Sequence, residues 1–448
     1  MKSVVLSRWL TALSACLLLQ HVLAIEVNPE DETSLQDAAK TVASAMMDFY
    51  NARDSKDIPG KMDDTWWEGG SMFMTLIQYW YLTGDDQFND AIQEGMYWQK
   101  GEDNDFFPSN YSQYLGNDDQ VFWGMAAITA AELNFPERDN EPSWVSLAEG
   151  VFNGQIPRWD MTSCSGGLRW QIWPYQNGIG LKNAISNGGL FQLSARLALY
   201  TKNSTYAEWA EKIWDWSAST PLLRKTWVIA DTTSTAANCK DHGDHQWTYN
   251  YATYIAGAGY MHNYACVTGL IKTSDQFFPK SGDNQIISDI TCEPINKCDR
   301  NQKTFKAYFT SWLGFMSLIV PTEITADVMA RFKVSAVAAG QQCSGGSDGK
   351  HCGIRWTKKA EWDGTTGLEQ QMSVLGVLNA NMVPFKAQGP YNADNGGKSE
   401  SNPHGGSNTK ASVGPEPITT GDKAGAGILT AIFVVIWAGA VSWMIKGS

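Results

Sequence analysis

Apolar side chains recur at helical spacing through most of this chain. From Ser34-Leu35 to Tyr50, and from Val121 through Ile128, Ala131 and Leu133, they return every three or four residues, which gathers them on one helix face. The pattern predicts helices near 33–52, 66–83, 86–100, 118–134, 142–157, 182–201, 204–219, 248–271, 284–296, 302–319, 323–340 and 366–381. No stretch alternates apolar and polar residues long enough to build a large sheet. Twelve helices without an exact short repeat suggest six helical hairpins closed into a ring, not an open solenoid. One long polar loop, 221–246, breaks the rhythm, and loops of that length in compact domains tend to be functional.

The pattern changes at both ends. Residues 1–24 carry Lys2 and Arg8, an apolar run through Leu17-Leu18-Leu19 and a small residue at Ala24, the marks of a secretory signal peptide. Residues 386–423 are rich in Gly, Ser, Asn, Thr and Pro and read as an unfolded linker. Residues 424–448 are almost wholly apolar and close on Lys446-Gly447-Ser448. Small residues at Ser412-Val413-Gly414 or Gly406-Ser407-Asn408, a polar spacer and an apolar tail form a GPI-attachment signal, removed on maturation. A plain membrane span has the same length; the lipid anchor is favoured because almost nothing follows the tail. Either arrangement sets a folded domain of residues 25–385 at the outer face of the plasma membrane and in the cell wall.

Composition narrows the partners. A net charge of −13 argues against nucleic acid. Of eight cysteines, Cys16 leaves with the signal peptide. Cys292 with Cys298 and Cys343 with Cys352 are close enough for local disulfides; Cys164 with Cys239 is the natural third pair, leaving Cys266 as a buried thiol. Sequence alone does not prove this connectivity. Asn110-Tyr111-Ser112 and Asn203-Ser204-Thr205 are sequons for N-glycosylation at Asn110 and Asn203. The domain is expected to act as a monomer.

The candidate chemistry centres on Asn117-Asp118-Asp119-Gln120. Asn117 reads as an N-cap, which puts both acids in the first helical turn near the positive end of the macrodipole. First-turn acids are common as plain dipole complements, so the pair needs context. Among the other acid pairs, Asp85-Asp86 reads as a structural helix start, and Asp63-Asp64 as a solvated approach to Trp66-Trp67. His242-Gly243-Asp244-His245 resembles a metal cluster only loosely, since Cys239 is better used in a disulfide outside the cell. No metal or other cofactor is expected.

Aromatic abundance supplies that context. The chain holds 20 Trp, 16 Tyr and 17 Phe, and many stand beside Gly, Asn and Asp instead of within apolar runs. Thr65-Trp66-Trp67-Glu68-Gly69-Gly70, Leu168-Arg169-Trp170-Gln171, Trp173-Pro174-Tyr175-Gln176-Asn177-Gly178 and Gln246-Trp247-Thr248-Tyr249-Asn250-Tyr251 are the clearest cases. Sugar rings stack on aromatic planes while amides and carboxylates bind their hydroxyls, so a polysaccharide groove needs both types interleaved. Most of the aromatics, Trp80, Tyr81, Trp98 and Trp216 among them, are read as core filler with a polar handle. Trp66, Trp123, Trp247 and Tyr249 are the candidate stacking platforms; Asn183, Asn250 and Asp231 are the candidate hydroxyl partners.

Asn117 to Gln120, Trp66 to Gly70, Asn183 through Asn187-Gly188-Gly189 and Trp247 to Tyr251 together resemble glycoside hydrolase family 76, in particular its fungal GPI-anchored branch. The resemblance covers residues 25 to about 385. It implies an (α/α)6 barrel, α-1,6-linked mannose as substrate, and a retaining mechanism with Asp118 as nucleophile and Asp119 as acid/base. The chain departs from bacterial members at Tyr251, where they usually carry Gln. The branch also implies wall mannan or a GPI glycan core as donor, with β-glucan as a possible acceptor. Independently, adjacent residues lie about 3.8 Å apart at Cα, so their carboxyls can reach the roughly 5–5.5 Å spacing of retaining enzymes. The helix terminus is expected to keep Asp118 ionised, while its charge and aromatic walls raise Asp119. Two rivals remain: a non-catalytic wall lectin using the same groove, and a purely structural helical adhesion protein. Neither needs adjacent acids.

Overall fold

The computed structural model describes residues 24–279, 285–386, 388–406 and 420–446. Twelve helices build the body: α1 (Glu32–Ala52), α2 (Trp66–Thr83), α3 (Asn89–Gln99), α4 (Asn117–Glu132), α5 (Trp144–Gln155), α6 (Ala184–Thr201), α7 (Ser204–Ser219), α8 (Thr248–Tyr260), α9 (Tyr264–Ser274), α10 (Phe305–Met316), α11 (Thr322–Gln341) and α12 (Leu368–Met382). The even-numbered helices neighbour one another in chain order, and α12 returns to α2, so they close an inner ring. The odd-numbered helices pack outside it. This is the (α/α)6 barrel.

Side-chain patterning explains which helix lies where. Every residue of α10 and of α12 is buried, including the polar Lys306, Gln370 and Asn379. Outer α7 buries only Tyr206, Ala210, Ile213, Trp216 and Ser217, one stripe. Close approach within the ring needs glycine. A Cβ on Gly314 of α10 would lie 2.9 Å from Ala380 Cα, and one on Gly376 of α12 would lie 2.9 Å from Ala307 Cα.

One end of the barrel is plugged by a buried ion pair. Arg196 of α6 donates to both carboxylate oxygens of Glu132, the last residue of α4, at 3.1 and 2.6 Å, and to Thr129 Oγ1 at 2.8 Å. Tyr260, the last residue of α8, donates its hydroxyl to the same carboxylate at 3.0 Å. We call this end the floor.

The structure departs from expectation in several places. The helix predicted over 248–271 is two, broken at His262, whose φ is +55°, with Asn263 capping α9 through the Cys266 N–H. The predicted helix 284–296 is not formed over residues 285–296: the Cys292–Cys298 disulfide closes a turn there, and Pro294 lies inside it. The long loop 221–246 carries β2 (Thr232–Ser234), which pairs antiparallel with β1 (Leu181–Asn183), Lys182 facing Thr233. A second small ribbon, β3 (Cys343–Gly345) and β4 (His351–Cys352), holds the Cys343–Cys352 bond. Cys164–Cys239 joins two loops, and Cys266 is free and buried.

The largest difference concerns the region read as unfolded linker. Residues 388–406 form an ordered strap along the outer wall. Tyr391 N donates to Glu132 O (2.7 Å), Ser399 N to the Tyr200 hydroxyl (3.1 Å), and Ser401 Oγ to Glu149 Oε1 (2.6 Å). Asn153 Nδ2 donates to Pro403 O at 2.9 Å. Hydrogen bonds hold this strap, not apolar burial, which is why its composition looks like linker. Further on, α13 (Thr420–Lys446) contains a span long and apolar enough to cross a membrane. Of the expected signal peptide, 1–24, residues 1–23 lie outside the described residues, as do the expected attachment residues Ser412-Val413-Gly414 and, of the second candidate, Ser407-Asn408.

Candidate active site

The N-terminal ends of the inner helices meet at the end opposite the floor. They surround a cleft of about 220 Å3 that continues into a wider arm of about 460 Å3. Asp118 and Asp119 stand in its wall with Asn183, Asp231 and Tyr249. Trp247 lines the wider arm.

Local geometry explains how two adjacent acids face one cavity. Gly116, not Asn117, is the cap of α4; it is extended, with φ −93° and ψ 171°. Asp119, three residues on, reaches back to accept from Gly116 N at 2.6 Å, the reach-back half of a capping box. Asn117 instead ties the helix start to its surroundings, donating to Arg169 O at 2.9 Å and accepting from Arg158 Nη1 at 2.6 Å. Asp118 Oδ1 accepts from Asp119 N at 3.1 Å and its Oδ2 from Asn183 Nδ2 at 3.3 Å. No cation pairs with either acid among the described residues.

The spacing of the pair follows from Gly116. A Cβ there would lie 2.4 Å from Asp118 Oδ1 and 3.4 Å from Asp119 Oδ2. The two oxygens can therefore be no farther apart than those lengths laid end to end. That falls short of the roughly 6.5–9.5 Å gap of inverting glycosidases. A side chain at position 116 would therefore have to displace the Asp118 carboxylate.

Electrostatics raise both acids, where the helix terminus was expected to keep Asp118 ionised. Burial, then the charge of Asp119, holds Asp118 well above the ordinary carboxylate range, against hydrogen bonds that pull it down. Burial pushes Asp119 up to about 6, restrained by the Gly116 N–H. First-turn N–H groups serve both acids, Gly116 N on Asp119 and Asp119 N on Asp118, yet burial outweighs them and favours one shared proton on the pair. Such a pair titrates as a unit.

Asp231 is positioned by the ribbon: its carbonyl accepts from Ala184 N at 2.8 Å, beside the β1–β2 pairing. Burial raises Asp231, opposed by a 2.9 Å hydrogen bond from Asn250 Nδ2. Asn250 is itself buried and lines no part of the cleft; it orients Asp231 and is not a hydroxyl partner. Tyr249 stacks on Phe305 with centroids 3.7 Å apart and planes 2° from parallel.

Two expected platforms are core residues. Trp123 is fully buried, stacked on Phe106 at 5.3 Å. Trp66 is buried, donates its Nε1 to Gln99 Oε1 at 2.7 Å and packs on Trp123. Their neighbours face the cleft instead: Trp67 and Phe122, which contact each other at 4.9 Å. The motifs pointed to the right turns, but the helix phase was one residue out; Phe122 is four positions after Asp118 and shares its face. Trp170, Gln171, Thr232, Asn301 and Phe305 also line the cleft. Of these, only the Trp170-Gln171 motif carried a sequence signal.

Next to the cleft, Arg300 bridges Glu68 Oε2 (2.8 Å) and Glu369 Oε1 (2.6 Å). Burial and repulsion from Glu369 push Glu68 up to about 8, opposed by Arg300. This cluster braces the loop bearing Asn301. Asp63 accepts from Asp54 N and Ser55 N, and Asp64 pairs with Arg300, so both acids serve the fold. Asp85 accepts from the Tyr79 hydroxyl at 2.7 Å. Cys239 is spent in its disulfide, and among the described residues no group of three or more His, Cys, Asp or Glu could hold a metal. Asn110 is exposed on the cleft side, and Asn203 caps α7 at the floor side.

Comparison with known proteins adds to this geometry. The family model of glycosyl hydrolase family 76 matches residues 34–394. Mannan endo-1,6-alpha-mannosidase DCW1 of Saccharomyces cerevisiae is 39% identical over 434 residues, covering 94% of this chain and 95% of that protein. Mannan endo-1,6-alpha-mannosidase DFG5 of the same yeast is 35% identical, covering 94% of each. The crystal structure of Dfg5 from Chaetomium thermophilum in complex with glucosamine superposes with a TM-score of 0.79 at 36% identity, over 86% of this chain and 98% of that one. The GH76A alpha-1,6-mannanase from Salegentibacter sp. HEL1_6 shares the fold, with a TM-score of 0.62 at 17% identity, over 78% of this chain and 98% of that one.

Proposed function

The chain belongs to glycosyl hydrolase family 76, and from that premise we propose a retaining glycosidase or transglycosidase of α-1,6-linked mannose in cell-wall biogenesis, with Asp118 and Asp119 as its catalytic pair. The observation that carries this reading is the closeness of the two carboxylates in the cleft wall, too short a gap to seat a water across the sugar for inversion. Asp118 attacks the anomeric carbon and forms a glycosyl ester, while Asp119 protonates the departing oxygen. Asp119 then deprotonates the incoming acceptor, which displaces Asp118. The first step needs the pair's proton on Asp119. A bound glycosidic oxygen supplies a hydrogen-bond acceptor beside Asp119, and the proton has only the short gap between the acids to cross. Tyr249, Trp67, Phe122 and Trp170 provide aromatic walls, and Asn183 and Asp231 bind hydroxyls.

Water as acceptor gives hydrolysis; a wall glycan gives transfer. Wall mannan or a GPI glycan is the donor and β-glucan a fitting acceptor, with the protein monomeric and held outside the membrane by a GPI anchor at its C-terminal tail. A wall lectin would gain nothing from two unpaired acids whose burial opposes their charge. The roles are tested with an α-mannoside bearing a good leaving group. Asp118→Ala should be rescued by azide to give β-mannosyl azide, and Asp119→Ala to give α-mannosyl azide. The opposite pattern would exchange the roles, and no rescue in either would remove the pair from the mechanism.

A further inference from the structure

The strap decides where the C-terminal tail leaves the barrel. It starts at the floor, where Tyr391 N bonds the carbonyl of Glu132 at the end of α4. It finishes at the other end of the wall. Asn153 of α5 donates to Pro403 O and to Gly405 O (2.9 and 2.7 Å), and a Cβ on Gly406 would lie 2.7 Å from Gly150 and 3.1 Å from Asp105 Cβ. That end of α5 is level with the catalytic turn: Gln155 donates to Asn117 O at 2.7 Å, and Gln120 donates to Asp105 O at 2.8 Å. In sixteen residues the strap climbs the height of α4, about 24 Å at 1.5 Å per residue. The strap therefore ends at the cleft rim and not at the floor.

A second, independent feature shares this face. The most exposed large apolar side chains outside α13 are Trp98, Tyr114, Met161, Tyr175 and Ile295, each 62–77% exposed. All five sit in loops or helix ends on the cleft side. Trp98 adjoins Gln99, which bonds the first residue of α2; Tyr114 precedes Gly116; Tyr175 bonds Gln113 O; Met161 adjoins Asp160; and Ile295 borders the wider arm. Among the described residues the floor side shows only Tyr264 and Phe385, at 36% and 40%. Ringed Trp and Tyr side chains with aliphatic neighbours are the composition that seats at a bilayer's headgroup level.

We propose that the cleft face is the membrane-facing face of this protein. Strap and apolar rim together turn the active site toward the lipid surface, which brings the GPI glycan donor proposed above within reach in the same membrane. The proposal rests on the membrane-attached glycosidase reading above, and tethering would raise the effective concentration of such donors without any new contact.

The test uses the full chain with its own tail, reconstituted in phosphatidylcholine vesicles containing a headgroup-labelled acceptor lipid. A donor dye is placed by Met161→Cys on the cleft side or by Glu323→Cys at the floor side, with the unsubstituted protein correcting for label on Cys266. Energy transfer to the bilayer should be at least twofold higher from position 161. Equal transfer, or higher transfer from 323, would overturn the proposal and leave the exposed aromatics to glycan binding. The same vesicles, carrying a synthetic α-1,6-mannosyl lipid, are compared with soluble α-1,6-mannotriose. Turnover of neither substrate would sink the glycosidase reading, while energy transfer still decides orientation.

Discussion

Helix α4 carries a buried carboxylate at one end and two half-buried carboxylates at the other, and the two ends treat them oppositely. At the floor, Glu132 faces Arg196 at 2.6 Å with Thr129 and Tyr260 completing the set. At the cleft, Asp118 and Asp119 have each other, an amide and backbone N–H groups, with no counter-cation. Burial resists the charge of Arg196, but the charges of Glu132 and Tyr260 outweigh it and raise its pKa; burial raises both cleft acids with nothing comparable to offset it. A buried charge with its partner specifies structure. A half-buried charge without one is held ready for chemistry, at a cost in stability.

Substitutions at the two ends should therefore separate rate from stability. Asp118→Asn or Asp119→Asn should lower turnover of an α-1,6-mannoside by about 10³-fold or more, with the fold intact by circular dichroism. Glu132→Gln should leave the rate per folded molecule within a few-fold and cost about 3–5 kcal/mol in denaturant unfolding, because Arg196 is left buried without its anion. Gly116→Ala drives a methyl into Asp118 Oδ1 and should cost about 10²-fold in kcat, a misplacement effect. Adjacent tryptophans give the next contrast. Trp123→Ala should destabilise by about 3–5 kcal/mol, whereas Trp67→Ala should chiefly raise KM, by about tenfold for loss of one stacking wall. The smallest effect is the most diagnostic of sign. Stability from the neutral cleft acids is fully present below the ordinary carboxylate range and is lost as pH rises through about 6 for Asp119, and higher for Asp118. Asp119→Asn should thus stabilise the protein at pH 7 by about 1–3 kcal/mol, and the gain should vanish near pH 4.

The helical body was legible because its apolar period is strong: α1, α2, α6 and α7 lie within two residues of their predicted limits. The break at His262 and the missing helix before Asn301 were hidden, since a positive φ and a disulfide-closed turn leave little periodic trace. Asp118 and Asp119 stood out by adjacency, and the (α/α)6 ring by helix number. Facing was harder. Inner helices are buried on nearly every side, so no apolar stripe distinguishes Trp67 from Trp66 or Phe122 from Trp123. The strap escaped notice because Asn, Ser and Gly hold it through backbone and side-chain hydrogen bonds, which composition cannot tell from solvation.

The central claim is that the two cleft carboxylates act by double displacement. Proton NMR of the first turnover products from an α-1,6-mannooligosaccharide, read before mutarotation, tests it most directly. The α-anomer at the new reducing end is the expected product; the β-anomer as first product would contradict the mechanism built on the close spacing of Asp118 and Asp119.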